Sequence, residues 1–447
     1  MKTKKVVIPA ILCLCIGIPA AILALGNEKT NDNIMNKIKR AFVSKTISDK
    51  SVDLTLGISP QKSDSDLSDI AFDDEFKLAD YTFSLGLMKN EVSETDNVII
   101  SPYSAIQSLG MLENGTDGST LNEIEESMGG LPVDKLNGYL CKWRKSQTNE
   151  VSKLTMANSL WIIDNEELIK PVPTFLQTAV DYYAPNIYTT PFDKNTRNDI
   201  NAWINKNVEG NIFEALDEID PDAVMYLVNT VEFEAKWRNE YLHEAIKPGV
   251  FTDFRGNEQN VDMLTSNEGL IIEDDNAMGF AKYYRDEKYA FVAILPDENM
   301  TVGEYIKALT LEHFGELMAV SEIKAKDFQS EYTVSIPKFK YDHKTDLGDA
   351  LKEMGIKKAF NGEEADFSRL SSADNKPFLA RVIHDTYIQF DEEGTKAAAA
   401  SLHEERVSAA IPMYDNRLIF NRPFFYAVVD TGTDTPIFMG TLMSIPE

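Results

Sequence analysis

Few side chains in this sequence have a type and spacing that could support catalysis or bind a metal ion. The 447 residues include three cysteines and five histidines, which are His243, His313, His343, His384 and His403. No two histidines have the spacing of a zinc-binding helix, and the sequence contains no Gly-x-Ser-x-Gly turn, glycine-rich phosphate loop or Cys-x-x-Cys pair. A Ser-His-Asp site assembled from distant positions stays open as an alternative. The sequence therefore favours a protein that is not an enzyme and that needs no cofactor or metal ion.

The most informative segment is residues 391–401, DEEGTKAAAAS, which contains four consecutive alanines. Alanine is the best helix former, so one interpretation is a short surface helix. The other is a segment that changes conformation, because small side chains can leave solvent and enter between two strands without a clash. The strand pattern over residues 382–390 favours this second interpretation.

Composition and charge exclude several classes of protein. Hydrophobic residues make up 43% of the chain, which is too much for a disordered protein. The chain has 44 Lys and Arg against 72 Asp and Glu, a formal net charge of −28. Such a charge argues against nucleic acid and anionic membrane surfaces as partners. Cationic partners remain, and for them the negative field would raise the rate of encounter.

The start of the chain predicts export. Lys2, Lys4 and Lys5 precede an uncharged apolar run over residues 6–25, so residues 1–26 are interpreted as a signal peptide or a retained membrane anchor. The protein is then secreted and extracellular, or tethered at the cell surface, and touches a membrane only through this segment if it is uncleaved. Cleavage would leave Cys141 as the single cysteine, so no internal disulfide can form. Residues 27–71 have mixed charges and few aromatic side chains, which predicts a flexible polar spacer.

The remaining residues, 72–447, are expected to form one domain, since no repeat or linker divides them. Apolar periodicity and capping residues predict several helices, including 104–113, 198–216 and 347–354. Alternating and apolar runs predict strands over 289–295, 332–339, 386–390, 424–429 and 437–443. Helices early in the chain and several strands late in it indicate an α+β fold.

A set of short motifs over residues 72–447 resembles the serpin family. The motifs are NVIISPYS at 97–104, MLENG at 111–115, NAWI at 201–204, LVN at 227–229, IPKF at 336–339, EEGT at 392–395 and RPFF at 422–425. Each is weak alone, but their order and spacing extend over the whole domain. The resemblance implies a serpin fold with three β-sheets, eight to nine helices and an exposed reactive-centre loop over about residues 392–412.

The resemblance also implies a serine protease inhibitor that acts as a suicide substrate. The target protease cleaves the loop, forms a covalent acyl-enzyme complex and is trapped when the loop inserts into the central sheet. The resemblance implies an inhibitory hinge formed by Glu392, Glu393, Gly394, Thr395, Ala397, Ala398, Ala399 and Ala400. Gly394 is expected to supply torsional freedom to this hinge. The inhibitor is expected to be a monomer, with a preference for basic target proteases. A polar cluster is expected beneath the opening sheet, formed by Ser101, Ser104, Asn229 and His384.

The scissile bond is expected about fourteen residues past Gly394, between Ser408 and Ala409. Counting back about eleven residues from Pro423 gives position 412 instead, but the count from the hinge is preferred because the inserted length sets where the protease ends up. That count is good to one or two positions, so the neighbours Arg406, Val407 and Ala410 are also candidates. Small side chains favour elastase-like or subtilisin-like targets, whereas Arg406 would suit a trypsin-like protease. Inhibition of cysteine proteases and a non-inhibitory binding role for the same fold remain alternatives.

Overall fold

The structure is a computed structural model that describes residues 47–147, 151–208, 216–325, 331–395 and 416–446. Within these ranges the chain forms nine α-helices: α1 Asp74–Glu91, α2 Pro102–Glu113, α3 Gly118–Ser127, α4 Val133–Ser146, α5 Pro173–Tyr182, α6 Lys194–Asn207, α7 Val302–Ala308, α8 Leu311–Met318 and α9 Gly348–Glu353. The strands are β1 Val52–Asp53, β2 Val98–Ile100, β3 Lys153–Ile163, β4 Asn186–Thr190, β5 Met225–Lys236, β6 Ile246–Thr252, β7 Glu258–Glu268, β8 Ile271–Asp274, β9 Ala277–Tyr283, β10 Tyr289–Pro296, β11 Tyr332–Pro337, β12 Phe339–Asp346, β13 Arg381–Phe390, β14 Gly394–Thr395, β15 Arg417–Ile419, β16 Phe424–Asp430 and β17 Thr435–Leu442.

These strands form three sheets. The central sheet has seven strands in the order β1-β4-β3-β5-β14-β13-β12. A six-stranded sheet has the order β2-β17-β16-β10-β9-β8, and a four-stranded sheet has the order β15-β11-β7-β6. The α+β class is thus confirmed, and so is the expected architecture of three sheets and eight to nine helices in the described part of the chain.

Helix α2 is buried along its whole length. It packs on the central strands β3 and β5 and on β17 of the six-stranded sheet, so it has no solvent face. Ser101 caps its first turn, because its side chain accepts a hydrogen bond from the Ser104 backbone N–H, and Pro102 occupies the first helical position. This cap holds both serines beneath the central sheet.

Several predicted element boundaries differ from the structure. The predicted helix 198–216 is Lys194–Asn207, because Asp193 forms a capping box with Thr196 at its start. The predicted strand 332–339 is the whole of β11 followed by the first residue of β12, and these two strands belong to different sheets. The apolar pattern runs through Pro337 without marking the point where the chain changes sheets.

The predicted flexible spacer is wrong for residues 47–71, which pack on the domain. Strand β1 pairs with β4 at the edge of the central sheet. The hydroxyls of Ser48 and Ser51 donate to the Asp199 carboxylate on α6, at 2.6 and 2.7 Å. Leu67 is buried, in a short 3₁₀ helix that touches α4. Hydrogen bonds from serines to a distant carboxylate leave no apolar pattern, which is why the sequence suggested a spacer. Residues 1–46 lie outside the described ranges.

Two further findings concern membranes and cysteine. None of the helices in the described ranges is both long and apolar enough to cross a bilayer. Cys141 is a free thiol, fully buried on α4, and burial raises its pKa. An inaccessible thiol with a raised pKa is a poor nucleophile, so Cys141 has a packing role.

Candidate functional site

The hinge lies at one end of the central sheet, between β5 and β13. There Thr395 is level with Ala235 of β5 and with Phe390 of β13. Farther along, β5 and β13 pair directly with each other in parallel, over residues 226–231 and 381–386. We call these directly paired residues the seam. The central sheet is therefore closed along the seam, and Gly394 and Thr395 lie at its end.

The hinge and the seam have a matched register. Thr395 pairs with Ala235 of β5 and Phe390 of β13. Asn229 and His384, which pair directly with each other, lie the same number of residues before Ala235 and before Phe390. A strand that continued from β14 along the seam would therefore need no shift in register.

Thr395 is held by a buried hydroxyl pair. Its side chain is 2% exposed, and its Oγ1 lies 2.6 Å from the hydroxyl of Tyr284. The Tyr284 ring stacks on Trp237 at 4.4 Å between ring centroids. Burial raises the pKa of Tyr284, so its hydroxyl keeps its proton and remains able to donate. The pocket accepts a side chain that is small and carries a hydroxyl.

Gly394 is required here for lack of a side chain. A Cβ at this position would collide with the carbonyl oxygen of Ala235 and lie 2.8 Å from the Cα of Lys236. Gly394 is not among the glycines with positive φ, so the expected torsional freedom is not used in this state. The close approach of β5 explains this glycine in the hinge.

The turn before the hinge is fastened to β5 and the chain that follows it. The backbone N–H of Trp237 donates to the Glu393 carbonyl at 2.9 Å, and that of Tyr241 donates to the Glu392 carbonyl at 3.0 Å. The Glu392 carboxylate also pairs with Lys338 at 2.5 Å. Partial burial opposes ionisation of Glu392, but Lys338, a backbone hydrogen bond and the nearby His243 together outweigh it, and the pKa of Glu392 lies below its usual value.

The four residues of the predicted polar cluster are brought together beneath the seam. The Ser101 backbone N–H donates to His384 Nε2 at 2.9 Å, and His384 Nδ1 contacts Asn229 Oδ1. Ser104 Oγ donates to the same Asn229 oxygen at 3.0 Å. All four are fully buried. Because Nε2 accepts, the proton of the neutral ring lies on Nδ1, where it donates to Asn229. The cluster therefore joins both seam strands to helix α2.

Burial lowers the pKa of His384 to about 3, with a smaller contribution from His343. The folded state thus keeps the ring neutral, whereas the unfolded chain takes up a proton below pH of about 6.5. From pH 7 to pH 4, we expect the unfolding free energy of the native protein to fall by about 3 kcal/mol more than that of a His384→Gln variant. Urea unfolding at several pH values measures this.

The matched control is His243→Gln, since His243 is exposed. Its difference from the native protein should stay constant over the same range. A constant difference for His384→Gln as well would contradict the neutral, buried assignment of this ring.

The remaining site predictions lie outside the described residues. They are Ala397, Ala398, Ala399 and Ala400 of the hinge and Arg406, Val407, Ser408, Ala409 and Ala410 around the scissile bond. Sequence reasoning missed Tyr284, whose neighbour Tyr283 is also aromatic and made the pair resemble ordinary strand residues. In the described ranges, no group of three or more His, Cys, Asp or Glu side chains could hold a metal ion.

Comparison with known proteins identifies the family. The profile described as serpin (serine protease inhibitor) matches residues 78–445. The chain belongs to the serpin family. Among curated serpins, human Serpin B8 is 29% identical over 395 residues, covering 83% of this chain and all of that protein. Alpha-1-antitrypsin of Sus scrofa is 28% identical, covering 82% of this chain and 86% of that protein.

Solved serpin structures match this chain to different degrees. The thermophilic serpin tengpin in its native state is 38% identical, with a TM-score of 0.82, and covers 89% of this chain and all of that chain. Tengpin in its latent state gives a lower TM-score of 0.73, over 84% of this chain and all of that one. Thyroxine-binding globulin, at 22% identity and a TM-score of 0.73, shares the fold over 84% of this serpin and all of that chain.

Proposed function

We propose that this serpin inhibits serine proteases as a suicide substrate, and that the protein is not itself an enzyme. The observation that carries the proposal is the matched register of hinge and seam. Gly394 and Thr395 already lie between the ends of β5 and β13, in the register that a longer insertion would need. Four alanines follow at 397–400, which are small enough to enter a buried strand position.

In the proposed mechanism the target protease supplies the chemistry. Its nucleophile attacks the loop near Ser408 and Ala409, which leaves an acyl-enzyme ester and frees the new amino terminus. The released strand then continues from Thr395 along the seam and separates β5 from β13. Continuing the register of β14 brings residue 401 level with Asn229 and His384. A serine at 401 could then join the polar cluster.

Small residues around the proposed bond favour elastase-like or subtilisin-like proteases as targets. A trypsin-like target that cleaves after Arg406 is the alternative, and cysteine proteases could be trapped by the same loop movement. The net charge of −28 favours basic proteases through electrostatic steering. We further propose a monomeric inhibitor that is secreted or tethered at the cell surface, from the signal-like residues 1–26.

The proposal is tested by incubating the protein with an elastase, a subtilisin and trypsin in separate reactions. We expect a complex that survives hot detergent, and mass spectrometry of the released fragment should give an amino terminus at or near Ala409. Trapping by trypsin with a fragment that begins at Val407 would support the alternative bond. Complete cleavage by all three without a complex would overturn the proposal.

A non-inhibitory binding role is the second candidate. Thyroxine-binding globulin, which shares this fold, binds thyroxine in its solved structure. The small residues at 397–400 argue for the inhibitory role, because a hinge that never inserts has no need of them.

A further inference from the structure

Asp385 is a buried carboxyl group on one of the two strands that must separate. It lies on β13 within the seam, directly opposite Thr230 of β5. Its side chain is 0% exposed, and neither carboxylate oxygen has a hydrogen-bond partner. The hydroxyl of Thr230 is buried and unpartnered as well. A charged carboxylate is costly to bury without a partner, whereas a protonated one costs much less.

The face on which Asp385 lies is covered in the closed sheet. Side chains alternate along a strand, so Asp385 shares its face with Ile383 and not with His384. Ile383 belongs to an apolar cluster with Val228 of β5 and with Trp203 and Ile204 of α6. Separating β5 from β13 would disrupt this cover and admit water to the Asp385 carboxyl group.

Charged groups near Asp385 do not neutralise it. On β12 the same face carries Lys344 directly opposite, flanked by Asp342 and Asp346. Lys344 favours the ionised form of Asp385 and Asp342 opposes it, but burial is the larger effect and raises the pKa of Asp385 to about 7. Asp346 is committed to Arg381 of β13, at 2.8 Å.

The other neighbouring elements supply no counter-charge among the described residues. On β5, Glu232 lies two positions beyond Thr230 on the same face, and as an acidic residue it supplies no positive charge. On β3, Ala157 lies opposite Thr230. Helix α6 carries four charged residues, of which Asp199 binds Ser48 and Ser51, Arg197 binds the Asp217 carbonyl, and two are exposed, Lys194 and Lys206.

We propose that Asp385 makes opening of the seam pH-dependent: its protonated form permits the sheet to stay closed, and its ionised form drives β5 and β13 apart. The closed sheet holds a proton on Asp385 that the open sheet releases to water. Raising the pH from about 4 to about 7 therefore shifts the balance toward opening, and lowering it favours the closed state. The inference rests on the proposed loop insertion, but seam opening can be measured without any protease.

The test uses an acetylated, amidated peptide with the sequence of residues 395–402, TKAAAASL, which has no group that titrates between pH 5 and 8.5. The rate at which the full-length protein incorporates this peptide reports seam opening, followed by native gel shift. For the native protein we expect the rate to rise at least about tenfold from pH 5 to pH 8.5. For Asp385→Asn, which is neutral throughout, we expect a slow rate that does not rise.

Two surface variants serve as controls that should fold normally, because Asp342 and Lys344 are exposed. Asp342→Asn should keep the rise but move its midpoint to lower pH, and Lys344→Ala should move it to higher pH. An equal rise in Asp385→Asn, or midpoints that do not move in the two surface variants, would overturn the proposal. So would a failure to incorporate the peptide at every pH. Protease trapping in the absence of any pH effect would leave the proposed function intact and refute only the role of Asp385.

Discussion

Replacing Thr395 by arginine should convert this serpin from the proposed inhibitor into a substrate. The Thr395 side chain is 2% exposed and lies against the Tyr284 hydroxyl, in a pocket closed by the stacked rings of Tyr284 and Trp237. An arginine there would place an unpaired charge in a buried site, at a cost of several kcal/mol. Insertion would then be slower than in the native protein by about a hundredfold or more, which gives deacylation time to release the protease.

The measurement is the number of inhibitor molecules consumed for each protease molecule inhibited, with a parallel gel assay for the stable complex. The cleavage rate should change little, because the substitution lies far from the scissile bond. Thr395→Ser is the matched control, since it keeps the hydroxyl that meets Tyr284 and should still trap the protease. Efficient trapping by Thr395→Arg would show that the hinge does not enter the sheet at this position.

The second large effect is expected from Asn229→Ala. The Asn229 carbonyl oxygen accepts from Ser104 Oγ and contacts His384 Nδ1, and no solvent reaches any of these groups. Its removal leaves two buried donors unpaired and a small cavity, so we expect a loss of about 4 kcal/mol in unfolding free energy. Urea unfolding at pH 7 measures it.

The control for this change is Asn198→Ala, an exposed position on α6 that should change the stability by less than about 0.5 kcal/mol. Because the cluster joins both seam strands to α2, Asn229→Ala should also incorporate the TKAAAASL peptide faster than the native protein does. Unchanged stability would mean that the cluster contributes no net free energy to the closed sheet.

The fold could be predicted from the sequence because family motifs are spread along the domain. The pairing of Asn229 with His384 is different, since they lie on strands far apart in the chain and no local pattern links them. Only the family resemblance brought these two residues together with Ser101 and Ser104. Periodicity identifies strands, but it does not give their neighbours in a sheet.

Other features could not be predicted because they depend on tertiary contacts. The steric need for Gly394 arises from the backbone of β5, and the packing of residues 47–71 arises from Asp199 and from the free edge of β4. The closed state of the seam could not be predicted either, because the same residues would have to fit both the closed sheet and the proposed inserted sheet.

If the segment after Thr395 inserts as proposed, the matched register of hinge and seam determines which of its side chains face each side of the central sheet. Thr395 lies on the buried side occupied by Tyr284, so every second residue after it would face that side on insertion, and the residues between them would face the other way. Adding one residue after Thr395 would turn Lys396 and the residues after it to the opposite face of the sheet, although the composition hardly changes. Adding two residues would return each side chain to its original face.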